Sequence, residues 1–225
     1  MQTYMARNPD IMAITDGPTL PELLDEATWA SIRDAATSRG VPGFMAAKMK
    51  PWFLSMALSI PPCAMTAMTS GEGGLDNMLL ESAADLGVPV APLEPWQDML
   101  DLLSMGTFEE QIDALRMGLL DPDVLDTIVV TLTDFYFTGQ SAMGWYITEY
   151  TKDLIPDLDP VQFDEQLAQM EQLLLIDRNI NWIPVIEDAA ETHDKIVIAF
   201  GTAHLFGDFG VLNLLEQNGW AISPL

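Results

Sequence analysis

The sequence predicts an α/β fold, rich in helix, with a small and mostly parallel sheet beside a large helical portion. Three observations predict it. Apolar residues recur at helical spacing through most of the chain. Two short stretches, residues 88–94 and 195–201, read as strands, the second as a continuous apolar run buried on both faces. That run is followed by a Gly-flanked loop, a short helix and a closing apolar stretch, a strand–loop–helix–strand unit of the kind that builds α/β sheets.

Each element has its local reason. Met1-Gln2-Thr3-Tyr4 opens a polar amphipathic stretch with neither the basic nor the apolar region of an export leader. Asp25 can cap a helix in which Ala27, Trp29, Ile32 and Ala36 share a face, ended by Gly40 and Pro42. Residues 51–60 read as a buried helix followed by a loop. The uncharged run 51–71 is long enough to cross a bilayer, but Pro61 and Pro62 would break a spanning helix in the middle. A helix over 75–86 meets its terminator at Gly87, and Trp96, Met99 and Leu102 mark another after Glu94.

Thr107-Phe108-Glu109-Glu110 is a capping box, followed at helical spacing by Ile112, Leu115, Leu119 and Leu120. Residues 121–138 continue the pattern through Leu125, Val129 and Leu132. From 160 to 190, Phe163, Leu167, Met170, Leu174, Ile180, Ile183 and Ile186 make one long stripe, with Pro184 the expected kink. A last helix, about 208–217, stops at Gly219, and residues 220–223 close as a strand. The chain reads as a single domain over 1–225, with about 95–190 as its helical portion.

Composition limits function. The 34 acidic side chains against 9 basic ones give a net charge of −25, yet 49% of the 225 residues are apolar, so a folded core rather than an acidic tail is expected. No basic residue lies between Lys50 and Arg116, and phosphate binding needs Lys and Arg; nucleic acid is excluded as a partner. Cys63 stands alone in an apolar stretch, so no disulfide or thiolate zinc site is expected and a buried inert thiol is. With only His193 and His204 present, any metal site must draw mostly on carboxylates or water.

Ligands of open α/β sheets lie beyond the carboxyl ends of the strands. That rule selects Glu94, which ends one stretch, and His204, three residues past the other. Such a pair could bind a divalent metal with water or serve as general base and partner; equally, His204 could fill a turn and Glu94 cap the next helix. Gly201, Gly207 and Gly210 surround His204, but neither G-x-G-x-x-G nor a P-loop is present, and a nucleotide cofactor is not supported. Arg178 lies near the inward face of the 160–190 stripe, where a guanidinium needs a ligand or a carboxylate, Asp76 or Glu94. His193 reads as a surface residue in a polar turn.

At these residues the chain resembles the TraB/GumN family, which includes the bacterial pheromone-shutdown proteins and is similar to the animal Tiki metalloproteases. Gly201-Thr202-Ala203-His204 with the following helix and Gly219-Trp220 looks like the family's second G-x-x-H motif. Asp177-Arg178-Asn179 with Trp182 looks like its Arg-Asn helix motif, and Gly74-Leu75-Asp76 leading to Leu93-Glu94 like its Gly-x-Asp helix and Leu-Glu strand end. Lys50-Pro51-Trp52 also has a counterpart. The resemblance runs from about Leu20 to the end. The family's first G-x-x-H motif has no counterpart here, which implies either a chain shortened at its N-terminus, the reading its abrupt start favours, or a degenerate member, inactive or incomplete as an enzyme in either case.

The resemblance implies a metal-dependent hydrolase of the metallopeptidase kind, acting on a peptide or protein. His204, Glu94 and Asp76 would be its metal residues (for Mn, Co or Zn), and His204, Glu94 and Arg178 its catalytic ones. Family members are often exported, so a periplasmic or exported location is in keeping with it. A rival reading is a non-catalytic protein that sequesters a peptide or protein partner through Tyr136, Phe137, Trp145 and Tyr146. A sheet short of its first strands would expose an edge and invite a homo-oligomer.

Overall fold

The structure is a computed structural model that describes residues 2–61, 74–117, 119, 122–150 and 159–224. In chain order its helices are α1 (Gln2–Arg7), α2 (Leu20–Leu23), α3 (Glu26–Ser38), α4 (Gly43–Ala46), α5 (Pro51–Leu58), α6 (Leu75–Leu86), α7 (Trp96–Leu103), α8 (Phe108–Met117), α9 (Pro122–Phe137), α10 (Ser141–Tyr150), α11 (Pro160–Glu171), α12 (Asp177–Thr192) and α13 (Val211–Gln217). Single 3-10 turns occur at Pro9–Ile11 and Thr202–His204, and a π turn, Gln172–Ile176, joins α11 to α12. Two compact units divide these residues: 1–78 with 95–129, and 79–94 with 130–225.

In the first unit, local capping sets the helix starts. Thr28 donates its backbone N–H to Asp25 Oδ1 at 2.9 Å, which fixes the start of α3 where the sequence places it. The Thr107–Glu110 box forms in both directions at the head of α8: Thr107 N–H reaches Glu110 Oε2 at 2.7 Å, and Glu110 N–H reaches Thr107 Oγ1 at 3.2 Å. Ile32 and Ala36 of α3, Leu54 and Leu58 of α5, and Ile112 and Leu115 of α8 then meet Leu20 in one apolar core. Arg39, just past α3, is buried and donates to the Ile60 carbonyl at 2.6 Å and the Ala35 carbonyl at 2.9 Å. A buried guanidinium held by backbone carbonyls ties two chain segments together, and nothing in the sequence pattern singled it out.

The second unit is built on α12 and α13. Trp182, Ile183 and Ile186 face Val211 and Leu215, with Leu93, Ile196 and Phe200 packed against them. The end of α6 is closed as expected: Gly87 takes φ +65°, Gly87 N–H bonds the Ala84 carbonyl, and Val88 N–H returns to Ala83 at 2.8 Å. The 160–190 stripe is not one face. A π turn accommodates one residue more than an α turn, so the helix after it is rotated relative to the helix before it. Met170 and Ile180 are accordingly half-exposed, while Asn179 and Trp182 point inward. Pro184 lies inside α12 without ending it.

The predicted α/β sheet does not form. Among the described residues the single β pairing is an antiparallel bridge between Ala13 and Met49, and residues 88–94, 195–201 and 220–223 lie in no strand. An apolar run favours extended backbone, but a strand exists only through ladder bonds to a neighbour, and no backbone hydrogen bond joins these stretches to one another. Nor is 195–201 buried on both faces: Val197 is 89% exposed, and only Ile196 and Phe200 rest on the core. The fold is helical, with extended connections rather than a sheet.

No helix among the described residues is long and apolar enough to cross a membrane. Cys63, Leu120 and the loop expected after residue 60 fall outside the described residues, apart from Pro61. His193 is exposed at the end of α12, as read from the sequence.

Leu115 is 1% exposed at the centre of the first unit's core. Replacing it with Ala should destabilise the protein by about 2–5 kcal/mol, because the surrounding side chains refill the void only in part. Urea unfolding monitored by far-ultraviolet circular dichroism measures this directly; a loss under 1 kcal/mol would contradict the packing.

Candidate functional site

Three residues of α12 begin the site. Arg178 and Asn179 lie in its first turn, immediately after the π turn, and Trp182 follows one turn on, four residues from Arg178 and three from Asn179. Side chains at those separations share a helix face. Glu94 arrives from the segment that leaves α6, anchored by Leu93 on the core, and His204 closes the 3-10 turn Thr202–His204, its N–H bonded to the Gly201 carbonyl at 3.0 Å.

These residues form a closed network. Arg178 donates through Nε (3.1 Å to Oε2) and Nη2 (2.7 Å to Oε1) to Glu94, a fork-to-carboxylate pair with both side chains about one-fifth exposed. Trp182 Nε1–H adds a third donor to Glu94 at 3.0 Å. Arg178 Nη1 donates to the Leu174 carbonyl of the π turn at 2.9 Å and faces His204 Nε2 at 3.3 Å. The guanidinium carbon lies 4.8 Å from the centre of the Trp182 ring, which offers it a cation–π contact, and the His204 ring packs 4.5 Å from the same indole with Phe200 edge-on.

The imidazole tautomer follows from its neighbours. Asn179 is 2% exposed; its amide donates to the Phe209 carbonyl at 2.8 Å, which leaves Oδ1 to accept. That oxygen lies 2.6 Å from His204 Nδ1, so Nδ1 carries the proton. Nε2 therefore presents a lone pair toward Arg178. Burial, then the Arg178 charge, pushes the His204 pKa down from 6.5 to about 4, against the opposing pull of Glu94. Burial alone would raise the Glu94 pKa, but the hydrogen bonds from Arg178 and Trp182 outweigh it and hold the carboxyl below its ordinary value. The site at neutral pH holds a carboxylate, a guanidinium and a neutral imidazole.

The structure thus joins Glu94, Arg178 and His204, three of the four residues singled out from the sequence. Asp76 is exposed in the first turn of α6 and belongs to the first unit, whereas the cluster consists wholly of second-unit residues. Glu94 does not cap α7, whose N-cap is Pro95. Asn179 and Trp182 were visible only as parts of a motif; their roles, fixing the imidazole and gripping the carboxylate, needed coordinates.

The donor set as arranged does not fit a divalent metal ion. Zinc would bond Nε2 at about 2.0–2.1 Å, along a lone pair that already faces a guanidinium nitrogen at 3.3 Å. The guanidinium nitrogen occupies that position, and its charge repels a doubly charged ion. Both Glu94 oxygens already accept from Arg178 and Trp182. Among the described residues, no three His, Cys, Asp or Glu side chains converge as a ligand group.

Gly210 controls the path of the His204 loop. A Cβ there would lie 2.3 Å from the Phe206 carbonyl oxygen, closer than side-chain carbons ever approach. Gly210→Ala should cost about 2 kcal/mol or more through that backbone clash, and should move the His204 imidazole resonances; a variant as stable as the parent would contradict the loop geometry.

A second expectation concerns pH. The unfolded chain takes up a proton at His204 near pH 6.5 and the folded chain only near pH 4. The unfolded state therefore binds more protons in between, and stability falls as pH drops through that window. The loss attributable to His204 approaches about 3 kcal/mol by pH 4 and should be absent in His204→Gln, as read from denaturant midpoints of the two proteins at matched pH.

The sequence model of the TraB/PrgY/gumN family matches residues 1–224. Comparison with individual curated proteins and with solved structures returned no match. A family match over the whole length agrees with the motif order around Glu94, Arg178 and His204, and the chain belongs to the TraB/PrgY/gumN family.

Proposed function

We propose that this chain is a hydrolase-type member of its family, acting on a peptide or related acyl bond, with its reaction centre at His204. The observation that carries this reading is the Asn179–His204 bond. It fixes the proton on Nδ1 and leaves the Nε2 lone pair beside a guanidinium, on an imidazole that is itself buried. Once Arg178 Nη1 turns from it toward a substrate oxygen, a neutral imidazole with that oriented lone pair is a proton acceptor for an attacking water or hydroxyl. Arg178 supplies a fixed positive charge against which a developing oxyanion would be stabilised. Glu94 and Trp182 hold that charge in place.

A metal-dependent version is what the family resemblance implies, and His204, Glu94 and Asp76 were its expected ligands. The present arrangement turns the first two toward Arg178. Hydrolysis of a panel of fluorogenic peptides and activated esters tests the reading. His204→Gln should lower turnover by about 100-fold or more, the usual scale of a lost general base. Turnover unchanged in that variant would remove His204 from the chemistry.

The rival, a protein that sequesters a peptide or protein partner, has its own supporting observation. A cavity of about 250 Å³ is lined by Trp145, Tyr146, Asp164, Leu167, Ala168 and Glu171, and Phe137 is 80% exposed on α9. Peptide binding that survives His204→Gln and is lost in Trp145→Ala would favour it over hydrolysis.

A further inference from the structure

We propose that Arg178 is the resident cation of this site, its guanidinium holding the place a divalent ion would need between His204 Nε2 and Glu94, so that the wild-type site does not load Mn, Co or Zn. Nε and one Nη2 proton go to Glu94, and the two Nη1 protons go to the Leu174 carbonyl and to His204 Nε2. Four of the five N–H groups of an arginine are thereby used, and the indole of Trp182 lies against its carbon. A charge held by this many contacts is not displaced by a ligand that must first break them. Glu94, the one anionic group in the network, is neutralised by Arg178 rather than left to attract an ion.

The fifth N–H, on Nη2, has no partner among these contacts. It is a donor suited to the oxygen of a carbonyl or carboxylate. A metal ion and a guanidinium serve the same purpose at such an oxygen, drawing off negative charge, but the guanidinium does so through directional hydrogen bonds and without exchange with solvent. What the charge does for a substrate rests on the reaction proposed above. The exclusion of metal does not, and it can be read without any turnover.

The chain has only two histidines, which makes imidazole nitrogen NMR a clean readout, with exposed His193 as the internal reference for loose ion binding to an acidic surface. On titration with zinc chloride at pH 7, the His204 Nε2 resonance of the wild-type protein should stay in place. In Arg178→Gln, which removes the charge, zinc should shift that resonance selectively, and the shift should vanish in Arg178→Gln with His204→Gln. Arg178→Lys keeps a cation and should remain unresponsive. A zinc-dependent shift of His204 in the wild-type protein overturns the proposal whether or not the variants fold. So does a folded Arg178→Gln protein that ignores zinc. Loss of hydrolysis in His204→Gln together with a folded Arg178→Gln protein that ignores zinc would leave the reaction standing and this inference refuted, so the two failures remain distinct.

Discussion

The ion pair between Arg178 and Glu94 is the interaction on which the second unit's site depends. It joins a residue of α12 to one that lies 84 positions earlier, before α7 begins. A partly buried pair is not a large source of net stability, since desolvation offsets most of the attraction. Its value is positional. With the carboxylate gripped by Arg178 and Trp182, the segment after α6 has one place to sit, and with the guanidinium fixed, the imidazole has one neighbour to face. Asn179 completes the arrangement from the other ring nitrogen. Removing either member of the pair would strand a charge, which is the costly way to break it.

Much of the helical portion was legible in the sequence because its signals are local. The Asp25 cap, the Thr107–Glu110 box and the stop at Gly87 each depend on residues within a turn of one another, and the coordinates reproduce them. The sheet was misread for the opposite reason. Residues 88–94 and 195–201 have the composition of strands, but a strand's partner is a distant segment that no local pattern specifies. The rotated face of α12 was hidden for a related reason, since a π turn changes no residue type, only the count of residues per turn. Arg39, buried among carbonyls, left no pattern at all.

The meeting of Glu94, Arg178 and His204 was more legible than the fold that carries it. Glu94 and His204 were selected on the premise of two parallel strands, and Arg178 on the premise of a continuous stripe; both premises fail. The residues meet regardless, because each follows an apolar anchor, Leu93, Phe200 or the inward face of α12, that packs on the same core around Trp182. What positions them is the shared core rather than a sheet edge. The acidity that dominates the composition has little part in this. A network of one carboxylate, one guanidinium and one neutral imidazole is close to balanced, and most of the other carboxylates among the described residues are exposed on helices.

The π turn at Gln172–Ile176 has a consequence for how this protein can change over time. Its extra residue is absorbed within the turn, where Leu175 faces inward. A π turn sweeps nearly the angle of an α turn with one residue more, so deleting one residue there could fuse α11 and α12 into an unbroken α-helix while Arg178 and Asn179 kept the face they share with Glu94 and His204. Substitutions that tightened the turn to α with all five residues kept would be different in kind, turning everything downstream by about 100°. The stretch is thus forgiving of a lost letter and strict about the shape that the present letters make.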